Sequence, residues 1–188
     1  MKTTKLLLIL MAVMSLMACK QKQNGTMQEN LPDSSDPTVH IVTLYVKTNE
    51  ISVDTAEINL KPGLDDYAYF EKDQDTPNID HTIHVKKGDI IIWRGIPEND
   101  TEDIVNISSI NFRGGKGLTN IFKQNRLPGN GEVPEMVVAT VIEGPDSTEG
   151  SEDNKKPLTY KYMLDFKVMD DGMPRNGTYH IDPKIQVH

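Results

Sequence analysis

Between Leu158 and Met169, the side chains Leu158, Tyr160, Tyr162, Leu164, Phe166 and Val168 fall on one side of an extended strand. Thr159, Lys161, Asp165 and Lys167 fall on the other. Successive strand residues point to opposite faces, whereas a helix would scatter these residues around its axis. The segment is therefore restricted to a long strand with one buried face. Shorter runs follow the same style at His81–Lys86, Ile90–Trp93, Ile104–Phe112, Val133–Glu143 and Tyr179–Val187. Val39–Lys47 is apolar on both faces, which predicts a strand buried between sheets.

No segment sustains a 3.6-residue period, and Thr119–Gln124 is the one place for a short helix. Lys87-Gly88-Asp89 predicts a turn, and the polar, acidic stretch Gly144–Pro157 predicts an extended hairpin loop. Many strands broken by Gly, Pro, Asn and Asp predict an all-β fold in a single domain. The expected architecture is an antiparallel β-sandwich of jelly-roll or immunoglobulin/cupredoxin-like type, spanning residues 38–188.

Ahead of it, Lys2 and Lys5 precede an apolar run from Leu6 to Met14, too short to span a bilayer comfortably and laid out like a secretory signal. The run ends in Leu16-Met17-Ala18-Cys19. This resembles the lipobox of bacterial lipoproteins, and the resemblance implies cleavage after Ala18 and lipid attachment at Cys19. Residues 1–18 are thus expected to be a signal peptide, and residues 19–37 a lipidated cysteine with a flexible tether too polar to order itself. Two or three acyl chains, palmitate among them, would anchor the chain where one would not. Lys20 rather than Asp follows the acceptor, which by resemblance to the enterobacterial sorting rule favours the outer membrane.

Composition narrows the chemistry. A formal net charge of −8 argues against nucleic acid, whose phosphates need an excess of Lys and Arg, and removing Lys2 and Lys5 makes the body more acidic still. One cysteine excludes an internal disulfide, a four-cysteine zinc site and an iron–sulfur cluster. It also removes the thiolate of a blue-copper site, since Cys19 is committed to lipid. His81 and His84 lie on opposite faces of a strand, and His40, His180 and His188 could meet only through the fold, so surface or edge histidines are expected and no metal or other cofactor. Ser108-Ser109 lies within a strand rather than in a Gly-x-Ser-x-Gly elbow, and Gly114-Gly115-Lys116-Gly117 lacks the phosphate-loop spacing. The acidic loops Glu98–Asp103 and Asp146–Asp153 match no EF-hand, and solvated charge is the expectation. No catalytic residue is predicted. Asp54-Thr55-Ala56 and Asp146-Ser147-Thr148 resemble O-glycosylation acceptors of some Gram-negative envelopes, which would place a glycan on Thr55 or Ser147.

Val85-Lys-Lys-Gly-Asp-Ile-Ile-Ile-Trp-Arg-Gly95 has a Val-x-x-Gly-Asp-x-x-x-Trp core resembling a cupredoxin strand. With Arg94-Gly95 and the ending Tyr179-x-x-Asp182-Pro183-x-Ile185-x-Val187, it resembles the AidA/PixA inclusion-body protein family more closely. That resemblance implies a β-sandwich without established catalysis, some members of which bind sugars. The residues themselves also read as structure, with Trp93 in the core, Gly88 and Gly95 at turns and Asp182-Pro183 at a bend before the last strand.

The resulting expectation is a non-enzymatic, lipid-anchored protein of the cell envelope. Its partners would be the membrane, through lipid, and a glycan or an envelope protein, through the sandwich. The alternatives are a structural or stress-related surface protein without a small ligand, and a metal-handling cupredoxin-like periplasmic module. Nothing in the sequence specifies an oligomeric state.

Overall fold

A computed structural model describes residues 36–59, 62–71, 74–114, 118–144 and 157–188, and Asp36–His188 forms one compact unit. The expected leader, Cys19 and most of the tether lie outside the described residues. Among the described residues eleven strands follow in chain order: β1 (Val39–Val46), β2 (Ala68–Tyr69), β3 (Thr82–Val85), β4 (Ile90–Pro97), β5 (Ile104–Phe112), β6 (Arg126–Pro128), β7 (Val137–Thr140), β8 (Leu158–Asp170), β9 (Met173–Pro174), β10 (Tyr179–Ile181) and β11 (Lys184–Val187). One sheet runs β2-β1-β4-β7, and the other runs β3-β11-β8-β5-β6 with β9 and β10 also paired to β8. The chain is an all-β sandwich, as the strand patterns predict.

The sheets are mixed rather than purely antiparallel. β1 lies parallel to β4 from Val39↔Ile90 to Val46↔Pro97, and β3 lies parallel to β11. The reason lies in the connections. The turn at Lys86–Asp89 joins β3 to β4, yet these strands belong to different sheets. Gly144–Pro157 likewise links β7 to β8, which lie in different sheets, so it closes no hairpin. The neighbours β1 and β4, and β3 and β11, are then joined by long crossovers, which permit parallel pairing where a tight turn would not.

β8 is the spine. Tyr160, Tyr162, Leu164, Phe166 and Val168 are all buried, as their alternation predicts, and they meet Trp93, Ile107, Ile110 and Tyr179 in one core. Trp93 sits edge-on to Phe122 and Tyr162 at 5.9 and 5.8 Å, and Phe166 stacks on Tyr179 at 4.9 Å. Such pairs add about 0.5–1.5 kcal/mol each beyond the area they bury. β1, by contrast, is buried on one face only. Val42, Leu44 and Val46 enter the core, while Val39 and Ile41 are 54% and 57% exposed. β-Branched residues on the outward face erase the alternation by which a one-sided strand is read.

Thr119–Gln124 forms bends and no helix, because Ile121 and Phe122 are drawn into the core. The only α-helical turn among the described residues is α1 (Thr55–Ile58), with short 3-10 turns at Pro62–Asp66 and Asn78–Asp80. None of these helices is long and apolar enough to cross a membrane.

Candidate functional site

The residues shared with the AidA/PixA motifs serve the scaffold. Gly88 turns the chain at φ +97°, a conformation few side chains tolerate. Asp89 behind it is buried and accepts hydrogen bonds from the backbone N–H groups of Thr38 and Lys86, at 3.0 and 2.8 Å, and from the His40 imidazole at 2.8 Å. Burial alone would raise its pKa. The backbone N–H groups of Lys86 and Thr38, with His40, outweigh burial and hold the carboxyl below its ordinary value. Trp93 Nε1 donates to Tyr162 Oη at 3.2 Å, and Arg94 Nε donates to Thr43 Oγ1 at 2.9 Å. Gly95 lies within β4 rather than at a turn. A Cβ there would stand 2.6 Å from the Val105 carbonyl oxygen, so glycine is required by close approach of β4 to β5. Tyr179 Oη donates to the Ser52 carbonyl at 2.8 Å, and Asp182-Pro183 separates β10 from β11.

The polar cluster lies elsewhere, on the outward face of the second sheet. Strand pairing places Ser109 opposite Asp165 and His180 opposite Asp165, so β5, β8 and β10 contribute one row. Pairing of Asn111 with Arg126 extends the surface to β6, and Lys167 follows Asp165 two residues along β8. Asp165 is 9% exposed. Its Oδ2 accepts from Ser109 Oγ and Asn111 Nδ2, both at 2.7 Å, and its Oδ1 accepts from His180 Nδ1 at 2.7 Å. Ser108, at an irregularity in the β5–β8 register, donates to the Asp165 carbonyl at 3.2 Å.

A cleft of about 430 Å³ opens over this row, bounded on its far side by Thr55, Ala56 and Asn59 at α1. Asn59 fixes that wall to β10: its Nδ2 donates to the Thr178 carbonyl at 2.7 Å, and its Oδ1 accepts from the His180 backbone N–H at 3.1 Å. The floor is thus a bonded network, and the wall is pinned to the strand that carries His180. Arg126 and Lys167 line the same cleft, and neither side chain has an ion-pair or hydrogen-bond partner among the described residues.

An Asp–His pair of this kind invites a catalytic reading, because a carboxylate on Nδ1 leaves Nε2 to act as a base. Nucleophilic catalysis further requires a hydroxyl bonded to that base. Here Ser109 and Ser108 both donate to Asp165, to its carboxylate and its carbonyl respectively. The geometry is that of a hydrogen-bonded polar surface with an outward imidazole and two cations that have no partner among the described residues.

The remaining histidines separate as strand geometry predicts. His81 stacks on Phe70 at 4.3 Å, and burial lowers its pKa against an opposing effect of Glu71. His84 faces away and meets His188 through the β3–β11 pairing, Nδ1 to Nε2 at 3.0 Å. No three His, Cys, Asp or Glu side chains among the described residues gather as a metal site would need. Thr55 is half-buried, and its side chain fills the space that a Cβ on Gly177 would take. Ser147, the Asp146–Asp153 loop and Gly115–Gly117 lie outside the described residues, as does Cys19. Sequence reading missed Asp165, His180, Arg126 and Asn59 as a group. The available signal was Asp165 itself, a lone acid on a strand face otherwise made of Thr159, Lys161, Met163 and Lys167.

The chain matches no family model and no curated protein. Among solved structures, it is similar to a cysteine protease inhibitor from Entamoeba histolytica, with 11% identity and a TM-score of 0.30, covering 80% of this chain and 96% of that one. At that score the likeness is no guide to fold or function.

Proposed function

We propose that this chain is a non-enzymatic binding protein of the cell envelope, anchored in the outer membrane through lipid on Cys19, whose sandwich presents the cleft over Asp165 to a glycan. The observation that carries the binding role is the cleft. Its polar floor is held by mutual hydrogen bonds before any ligand arrives, which lowers the ordering cost of binding. Hydroxyl-rich ligands suit such a surface, since Thr55, Ser108, Thr178 and His180 bring both donors and acceptors to it. The resemblance to AidA/PixA proteins points the same way, and the lipobox supplies the location. A protein ligand of the envelope is the alternative occupant.

The test is a glycan array probed with the full chain in detergent, with hits titrated by calorimetry. Saturable binding to one sugar class, lost in Asn59→Ala, supports the reading. A blank array on folded protein removes the glycan from it.

One observation favours the structural-protein alternative. The outward face of β1, β4 and β7 leaves Val39, Ile41 and Val138 exposed, the last two at 57% each. Apolar sheet faces of this kind favour self-association. Sedimentation that shows discrete assembly as concentration rises, reversed by Ile41→Lys, would support that alternative.

A further inference from the structure

We propose that the cleft over Asp165 recognises an anionic group, through Arg126 and Lys167, and that the glycan it takes is an acidic one bearing a carboxylate or sulfate. This rests on the glycan reading above and goes beyond it in naming the ligand's charge. In a chain with 28 Asp and Glu against 20 Lys and Arg, a cation has many acids to choose from. Lys87, Arg175 and Lys184 find them, pairing with Glu143, Asp170 and Asp80. Arg126 and Lys167 pair with no acid among the described residues, as is also true of Lys47, Lys86, Lys123 and Lys161, but these two share one cleft, with Asp165 on the same sheet face.

The reason is visible in the bonding of Asp165. His180 takes one of its oxygens, and Ser109 and Asn111 take the other. A carboxylate so enclosed cannot turn toward the two cations, and it is itself 9% exposed. Among the described residues that line the cleft, two cations face the single carboxylate of Asp165, whose oxygens are already taken, so the lining keeps a net positive charge. His180 plays a different part, because with Nδ1 donating to Asp165 the Nε2 lone pair, which has no hydrogen-bond partner among the described residues, can accept from a sugar hydroxyl. An Arg fork on β6 and a Lys ammonium on β8, with β5 between them, line one cleft and form a surface complementary to carboxylate or sulfate oxygens. The hydroxyls of Thr55, Ser108 and Thr178 line the same cleft and suit the sugar ring that carries the anion.

Calorimetry on the full chain in detergent tests this, with glucose against glucuronate, galactose against galacturonate and against a sulfated galactose, and inorganic sulfate alone. Each charged sugar should bind about tenfold or more tightly than its neutral counterpart, with the advantage shrinking as salt rises from about 50 to 500 mM. Arg126→Gln with Lys167→Gln should erase the advantage while leaving the thermal midpoint nearly unchanged, since both side chains are exposed. Equal affinity for neutral and charged sugars overturns the inference and leaves the glycan reading standing. Charge-dependent binding that the double variant does not reduce also overturns it, because the anion then sits elsewhere. Sulfate bound through Arg126 and Lys167, with no sugar of either charge bound, keeps the anion site and overturns the glycan reading. No binding of any kind overturns both.

Discussion

Asp89 shows what the Gly-Asp-x-x-x-Trp-Arg-Gly segment is for. Its carboxylate ties the turn after β3 to the start of β1 through the N–H groups of Lys86 and Thr38. Hydrogen bonds to a charged group contribute about 1.5–3 kcal/mol each, so Asp89→Asn should lower stability by about that range in urea unfolding at neutral pH. The folded carboxyl has a pKa below the ordinary 3.8, so the unfolded chain takes up a proton first as the solution acidifies. Its stabilisation is therefore complete above the unfolded value and is lost as the pH falls through the folded one. The gap between wild type and Asp89→Asn should close over that acidic window, and a gap that stayed constant with pH would show that the charge is not what matters. Tyr162 makes a related case. Tyr162→Phe leaves the buried Trp93 N–H without its acceptor and should cost about 1–3 kcal/mol. Gly95→Ala should cost about as much by overpacking, because the added methyl meets the Val105 backbone.

At the scale of elements, β8 was legible because its two faces differ in every property that burial selects. Phe166→Ala, inside that pattern, should cost about 3–5 kcal/mol, while Lys161→Ala on the outward face should stay within about 0.5 kcal/mol. Equal costs at the two positions in chemical denaturation would mean that β8 is not one-sided. β1 was misread as two-sided, since Val39 and Ile41 look the same in sequence whether solvent or a second sheet lies over them. Thr119–Gln124 is the one stretch where the sequence leaves room for a short helix, and Ile121 and Phe122 are instead drawn into the core. The candidate site was the least legible part. Asp165 and His180 stand fifteen residues apart and meet only because β10 pairs with β8 in a register that places one opposite the other. Arg126 sits on the short strand β6, and Asn59 follows a single helical turn, so neither carries a periodic signal.

At the scale of the whole molecule, the proposed lipid anchor and the preformed cleft would together make a tethered receptor, whose stability should follow its occupancy. A ligand at about one hundred times its Kd should raise the unfolding free energy by about 2.7 kcal/mol, readable as a shift in Tm that grows with ligand concentration. Lipid on Cys19 would hold the protein at the membrane without help from the body, whose acidic charge repels anionic headgroups. Cys19→Ser should accordingly move the protein from the membrane fraction to the soluble one on cell fractionation, and retention of that variant in the membrane would refute the anchor. The cleft over Asp165 is the proposed seat of the ligand. Amide NMR of the full chain, titrated with a saccharide that the calorimetry has identified, addresses it directly. Binding in the cleft should gather the shifts at Thr55–Asn59, Ser108–Asn111, Arg126, Asp165–Lys167 and Thr178–His180. Shifts centred instead on Ile41, Ile92 and Val138, on the outward face of the other sheet, would contradict it.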